Sequence, residues 1–276
     1  MKSQTAVIGG IPMRWIERGR GDEVPLVLIH GIPTSPRLWR HVMAKLRGVR
    51  CLAFEMVGYG ESMEAGVGRD ISVGRQADYL IDWLTHLGIE RAVFCGHDLG
   101  GGVAHIAVVR HPQRCAGLFL TNAIGYDSWP IPSVKALKLT APLVKHLPDI
   151  AAKQILRVLM IRGHDKLQIA EESLDVHWSA YERHGGAASL IRQVMALNVE
   201  DTESIAGALP GLNIPARVVW GTSDSFQKLR YGERFARDLN APLHRIEGGL
   251  HFTPEDHPEI IAEQITRLLE DIERAA

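Results

Sequence analysis

The chain has 276 residues, of which 46% are hydrophobic, and a formal net charge of −1. This length is sufficient for one large α/β domain with a modest insertion, and the apolar fraction is sufficient for a large core. Phosphate binding requires clustered excess Lys and Arg, which a near-neutral chain does not supply, so nucleic acid is not an expected partner.

The three cysteines suggest a reducing environment. Each of Cys51, Cys95 and Cys115 lies in or beside an apolar run that is typical of a strand, and their number is odd. Buried free thiols in a reducing cytoplasm are the simplest interpretation. Residues 1–10 have no apolar stretch long enough for a signal peptide, and no later segment is suited to span a bilayer. We therefore expect a cytoplasmic protein with no membrane partner.

Strand and helix patterns alternate over the first 125 residues. Residues 5–8 and 13–17 alternate well enough to predict a hairpin at an antiparallel edge. The continuous apolar run at residues 24–29 is typical of a strand that is covered on both faces. Further predicted strands cover residues 51–57, 91–95 and 116–122, and predicted helices cover residues 38–46, 73–87 and 101–110. This alternation predicts a mostly parallel, doubly wound sheet.

The alternation stops between residues 126 and 204. There the chain has amphipathic helical segments punctuated by prolines and no strand pattern, which predicts a helical insertion. Strand patterns return at residues 216–220 and 242–246, and helical patterns at residues 226–239 and 258–273. We therefore expect a core in two parts, residues 1–125 and 205–276, with residues 126–204 as an inserted helical cap.

The most informative segment places an aspartate where a predicted strand meets a helix. Gly96-His-Asp-Leu-Gly-Gly101 has the form G-x-D-x-G-G, with Asp98 at its centre. A sharp strand-to-helix turn of this kind exposes a nucleophile, and its small residues let the backbones approach closely. A carboxylate can displace a leaving group from a saturated carbon and form an ester that water later cleaves. Asp98 thus predicts alkyl transfer rather than ester hydrolysis.

Three other features follow predicted strands. The turn His30–Pro33 can direct backbone N–H groups at a developing oxyanion, and we expect Ile32 and Leu99 to donate them. Asp224 and His251 lie in loops after later strands. Each feature alone also has an ordinary explanation as a turn or a loop residue. Because parallel strands end at one edge of a sheet, the four features are expected to converge.

These motifs resemble the α/β-hydrolases that have an aspartate nucleophile, the epoxide hydrolases and haloalkane dehalogenases. The resemblance rests on His30-Gly-Ile-Pro33, on the Asp98 segment and on Gly249-Leu-His-Phe252, and it covers the chain except for the insertion. It implies the α/β-hydrolase fold, with an eight-stranded, mostly parallel sheet and a helical cap. It further implies that Asp98 is the nucleophile, His251 the base that activates water, and Asp224 the carboxylate that orients His251.

The leaving group is less well defined by the sequence. Dehalogenases usually have Trp after the nucleophile, and many have Asn or Trp in the H-G-x-P turn, where this chain has Leu99 and Ile32. Epoxide hydrolases usually supply two cap tyrosines, for which Tyr181 and Tyr126 are candidates, with His177 as another donor. We therefore favour an epoxide hydrolase that acts on a small apolar or amphiphilic epoxide with water.

Two alternatives remain. A haloalkane dehalogenase acting on a halogenated substrate would use the same three residues, and a binding protein or receptor would keep the pocket without turnover. No cofactor is required, and no histidine pair has the spacing of a metal site. A homodimer is left open.

Overall fold

The structure, a computed structural model, describes residues 2–21 and 24–275. Its strands are β1 (Lys2–Ile8), β2 (Ile11–Arg18), β3 (Leu26–Ile29), β4 (Cys51–Phe54), β5 (Ala92–Asp98), β6 (Cys115–Ala123), β7 (Ala216–Gly221) and β8 (Leu243–Ile246). They form one eight-stranded sheet in the order β1-β2-β4-β3-β5-β6-β7-β8. The β1–β2 and β2–β4 pairs are antiparallel and the other pairs are parallel, which confirms the predicted sheet.

Helices cover both faces of this sheet and fill the interval between β6 and β7. In chain order they are α1 (Arg40–Lys45), α2 (Val73–His86), α3 (Leu99–Arg110), α4 (Pro132–Val144), α5 (Asp149–Gly163), α6 (Leu167–Arg183), α7 (Gly186–Met195), α8 (Glu200–Glu203), α9 (Leu229–Asp238), α10 (Thr253–Asp256) and α11 (Pro258–Ala275). Helices α4 to α8 lie between β6 and β7, and this interval contains no strand in its described residues 124–215. We refer to α4–α8 as the cap.

Alternation along the buried strands assigns side chains to the two faces of the sheet. On β3, Val27 and Ile29 belong to the core cluster that includes α2, α3 and α9, whereas Leu26 and Leu28 belong to the cluster with α1, α11 and the cap. All four are fully buried. Burial of each such side chain stabilises the fold by about 1.5–3 kcal/mol. The continuous apolar run is therefore explained by a strand that faces a core on each side.

The cysteines and the apolar helices can be compared with what the sequence predicts. Cys51, Cys95 and Cys115 are buried and free, as predicted. Across residues 2–21 and 24–275, no helix combines the length and the apolar character that crossing a bilayer demands.

One difference from the predicted elements is at the strand-to-helix turn. The predicted strand ends at Cys95 and the predicted helix begins at Gly101, but β5 runs to Asp98 and α3 begins at Leu99. Three glycines lower the intrinsic helix propensity of this segment. Close packing overrides that preference. A β-carbon at Gly100 would overlap the backbone carbonyls of Ile29 and His30, so only glycine fits where the helix approaches β3.

Candidate active site

Asp98 adopts a backbone conformation that places its buried side chain in the cavity at the end of the sheet. Its φ is 51° and its ψ is −122°, outside the range that non-glycine residues normally occupy. The glycines around it permit this turn, since a β-carbon at Gly96 would approach the Gly101 α-carbon and one at Gly101 would overlap Ala123. The predicted nucleophile thus has a strained backbone, as expected for the sharp strand-to-helix turn.

Two backbone amides interact with the Asp98 carboxylate. The Ile32 N–H donates to Asp98 Oδ1 at 3.0 Å, and the adjacent Leu99 N–H contributes to lowering the pKa of the carboxyl group. Gly31 lies so close that a β-carbon there would overlap the Asp98 side chain. Both predicted oxyanion donors thus lie beside the Asp98 carboxylate. If an ester forms on Asp98, these amides are placed to polarise its carbonyl group.

His251 lies between two carboxylates. Its Nδ1 is 2.8 Å from Asp224 Oδ2 and its Nε2 is 3.6 Å from Asp98 Oδ2, and all three side chains are buried. Asp224 is fixed in turn by the Phe226 N–H, which donates to its Oδ1 at 2.7 Å. The three predicted triad residues therefore converge at one end of the sheet, in the geometry expected of a nucleophile, a base and an orienting acid.

The charges of these groups are coupled. Burial favours the neutral form of His251, but the charge of Asp224, the hydrogen bond to Asp224 and the nearby charge of Asp98 outweigh it and raise the His251 pKa to about 10. Burial also opposes ionisation of Asp98, yet the charge of His251, whose Nε2 lies 3.6 Å away, holds the Asp98 pKa below its usual range. The site at neutral pH is thus an imidazolium between two carboxylates.

Two neighbouring histidines, His97 and His30, remain neutral because burial outweighs the charges around them. Burial lowers the pKa of His97 to about 4 and that of His30 to about 3. His97 Nε2 lies 3.0 Å from the His251 carbonyl oxygen, and the Met56 N–H donates to His30 Nε2 at 3.2 Å. Both side chains hold backbone around the site, and neither is hydrogen-bonded to Asp98.

Asn122, which the sequence analysis does not single out, completes the hydrogen bonding of Asp224. Its Nδ2 donates to Asp224 Oδ2 at 2.7 Å, the oxygen that also faces His251. Its Oδ1 accepts from the Gly221 N–H and the Thr253 hydroxyl, both at 3.2 Å. The signal that could have identified it is its place near the end of β6, at the same sheet edge as Asp98 and Asp224.

A cavity with about 690 Å³ of empty space, open to solvent, lies over Asp98 between the core and the cap. Sixteen of its nineteen lining residues are apolar, including Leu156 and Leu159 on α5; the others are Asp98, Gln227 and His251. Gln227 is buried, and its Oε1 has no hydrogen-bond partner. The sequence analysis also misses this residue, whose only local signal is its position three residues after Asp224.

The three predicted leaving-group donors do not line this cavity. The Tyr181 hydroxyl donates to Gln193 Oε1 at 2.6 Å, and the Tyr126 hydroxyl donates to Asp238 Oδ2 at 3.0 Å. His177 Nδ1 is 3.1 Å from Ser35 Oγ. Each polar group is therefore held by a partner elsewhere. Tyr181 and His177 lie on α6 and face α7 and the loop after β3, and Tyr126 lies in the connection between β6 and α4 and faces α9.

The cap also supports the histidine loop directly. The Gly163 carbonyl, at the end of α5, accepts hydrogen bonds from the N–H groups of His251 at 2.9 Å and Phe252 at 3.0 Å. The His251 ring packs edge-on against Phe226 and Phe252, with ring centroids 5.1 and 5.0 Å away. The position of the predicted base thus depends on the cap as well as on the sheet.

Comparison with known proteins agrees with this architecture. A sequence profile of the alpha/beta hydrolase fold family matches residues 24–160. The chain is 28% identical over 282 residues to a soluble epoxide hydrolase of Corynebacterium sp. (strain C12), with 93% of each chain covered.

Solved structures show the same fold. An alpha/beta hydrolase fold protein from Burkholderia ambifaria superposes with a TM-score of 0.83 at 24% identity, covering 95% of this chain and 96% of its own. The haloalkane dehalogenase DbeA from Bradyrhizobium elkani USDA94 has a TM-score of 0.79 at 22% identity, covering 100% and 99%. With its sheet order, its strand-to-helix turn and these likenesses, the chain has the α/β-hydrolase fold.

Proposed function

We propose that the protein is an epoxide hydrolase that works through a covalent ester on Asp98. The observation that carries the proposal is the position of His251, 2.8 Å from Asp224 and 3.6 Å from Asp98, beside a cavity with apolar walls. In this scheme a carboxylate nucleophile, a base and its orienting acid face a substrate of low polarity.

In the first step, Asp98 attacks a ring carbon of the epoxide. A new bond forms between a carboxylate oxygen and that carbon, the carbon–oxygen bond of the ring breaks, and the electron pair goes to the ring oxygen as an alkoxide. The Ile32 and Leu99 amides hold the carboxylate in position. Since the Asp98 charge is consumed, His251 loses one of the two anions that keep it protonated.

The proton balance favours an epoxide over a halide. The imidazolium proton of His251 passes to the alkoxide, a much stronger base than imidazole, and His251 becomes neutral at the moment when a base is needed. A departing halide takes no proton, so His251 would first have to release its proton to solvent. The proton that the two carboxylates hold on His251 is thus used by an epoxide, whereas the positions of the three residues alone would also serve a halide.

In the second step, neutral His251 removes a proton from water, and the hydroxide attacks the ester carbonyl. The Ile32 and Leu99 amides stabilise the resulting oxyanion, and collapse releases the vicinal diol. The proton returns from His251 to the departing alkoxide, and ionisation of the Asp98 carboxyl protonates His251 again. Asp224 keeps the imidazole oriented throughout.

Gln227 is the candidate partner for the epoxide oxygen in this scheme. It lines the cavity together with Asp98, and its amide is buried with an unpartnered oxygen. An amide N–H can hydrogen-bond to the developing alkoxide without transferring a proton. The apolar walls support a small apolar or amphiphilic epoxide as the substrate class.

Intact-protein mass spectrometry of His251→Gln incubated with epoxides tests this function. The alkoxide must then take its proton from water, which slows alkylation, but the ester accumulates because its hydrolysis has lost the base. We expect an adduct equal in mass to the whole epoxide. The matched control Asp98→Asn should carry no adduct.

Other outcomes would overturn the proposal. An adduct only from haloalkanes, lighter than the substrate by hydrogen halide, would assign the protein as a dehalogenase. Ligand binding without any adduct or turnover in the unmodified protein would assign it as a receptor.

A further inference from the structure

Helices α4 and α5 expose large apolar side chains to solvent. Leu139, Leu143 and Ile150 are 85%, 77% and 74% exposed, and Leu147 in the connection between the helices is also exposed. Seven of the ten large exposed hydrophobic residues in the described part of the chain lie between residues 139 and 167. Apolar surface concentrated in this way marks an interaction site, unlike single scattered residues.

The exposed residues of α4 lie opposite the face that lines the cavity. Val134 and Leu137 contribute to the cavity wall, whereas Leu139 and Leu143, at a spacing of one helical turn, point about half a turn away. A helix on the surface of a soluble domain normally has a polar outer face. The outer face of α4 therefore requires an apolar partner that the described fold does not provide.

The charge of this segment identifies the kind of partner. Residues 132–163 contain six Lys and Arg and one Asp, a net charge of +5 in a chain whose total is −1. Lys153 and Arg157 are paired with Asp175 and Glu171 of α6. Lys135, Lys145 and Arg162 have no carboxylate partner in residues 2–21 and 24–275. Two copies of such a surface would repel each other, whereas an anionic lipid surface matches both its charge and its apolar side chains.

We propose that α4, α5 and their connection lie against an anionic lipid bilayer. We call Leu139, Leu143, Leu147 and Ile150 the lipid-facing edge; these side chains enter the boundary between headgroups and acyl chains, and the lysines lie at the level of the phosphates. The expectation of no membrane partner rests on the lack of a spanning segment, which does not exclude attachment at the surface. Because the same two helices line the cavity, the edge places the cavity wall next to a reservoir of apolar substrate.

Sedimentation of the full chain with lipid vesicles tests this proposal. We expect the protein to bind vesicles of phosphatidylcholine mixed with phosphatidylglycerol, and to bind phosphatidylcholine alone, or the mixture at high salt, much more weakly. Transfer of one Leu or Ile side chain from water changes a partition constant by roughly tenfold or more, so Leu143→Ser with Ile150→Ser should lower vesicle binding at least about tenfold.

Matched variants make the result specific. Val7→Ser with Val67→Ser removes two other exposed apolar side chains, 69% and 59% exposed and outside the cap, and should leave vesicle binding unchanged. Leu143 and Ile150 do not line the cavity, so their replacement should leave hydrolysis of a dissolved substrate unchanged.

Two results would overturn the proposal: no binding of the folded protein to anionic vesicles, or a dimer in analytical ultracentrifugation that dissociates in Leu143→Ser with Ile150→Ser. Vesicle binding requires no turnover, so its failure would leave the proposed hydrolysis untouched.

Discussion

Replacement of Asn122 by alanine should separate the two chemical steps. The Asn122 amide donates at 2.7 Å to the Asp224 oxygen that orients His251, and it does not line the cavity. In the proposed mechanism the Asp224–His251 pair acts as a base only on the ester. Asn122→Ala should therefore slow hydrolysis of the ester more than its formation.

The magnitude follows from the hydrogen bonds that are lost. A hydrogen bond to a charged group contributes about 1.5–3 kcal/mol, and the buried Gly221 N–H that Asn122 also binds would lose its acceptor at a further cost of about 1–3 kcal/mol. Since the Phe226 N–H still holds Asp224, we expect ester hydrolysis to slow by roughly 10- to 150-fold. The two costs together should lower the unfolding free energy by about 2.5–6 kcal/mol.

Rapid-quench mass spectrometry measures both steps in one experiment. Mixed with excess epoxide, Asn122→Ala should carry the Asp98 ester as its main steady-state form, which the unmodified protein should not. Thermal unfolding of the same samples reports the loss of stability.

Gln76→Ala provides the matched control. Gln76 is also a buried amide that holds a loop, through the Val57 N–H and carbonyl, but it has no contact with the triad. It should lower stability without accumulation of ester. If Asn122→Ala loses stability and activity but its ester level stays at that of Gln76→Ala, the argument that Asn122 acts through Asp224 is wrong.

Three further predictions concern residues around the carboxylate. Gly31→Ala should lower turnover by at least roughly tenfold, because its β-carbon overlaps Asp98, whereas Gly207→Ala, whose β-carbon meets no neighbour, should leave kcat unchanged in steady-state assays. Gln227→Leu should slow ester formation by roughly 10- to 100-fold in rapid-quench assays and leave ester hydrolysis unchanged; a slower second step would contradict the role given to its amide. The rate of ester formation should be constant at neutral pH and fall as pH rises through the His251 pKa of about 10, because the protonated form of His251 is required. The variant His251→Gln should lack this alkaline fall. A pH profile of the variant identical to that of the unmodified protein would argue against His251 as the proton source.

Features that depend on local chemistry could be predicted from the sequence. The strand-to-helix turn requires small residues around a nucleophile, and Gly96, Gly100 and Gly101 surround Asp98 in the chain itself. The parallel sheet then brings the loops with Asp224 and His251 to the same edge, because those loops follow strands. The convergence of the triad follows from these two properties.

Features that depend on the direction of cap side chains could not be predicted. Tyr181 lies on α6, and its direction depends on how α6 packs against α7, which carries its partner Gln193. Periodicity identifies an amphipathic helix but does not determine which neighbour its polar groups meet. Asn122 and Gln227 are missed for a related reason, since the partner and the cavity that give them meaning are formed only by the folded chain.

The most direct test of the central claim is a single turnover in heavy-oxygen water with the enzyme in excess over the epoxide. Water attacks the ester carbonyl in our mechanism, so the peptide that contains Asp98 should gain the heavy isotope and the diol should contain only light oxygen. Label in the diol, with an unlabelled Asp98 peptide, would show that water attacks the substrate directly and would contradict the covalent mechanism.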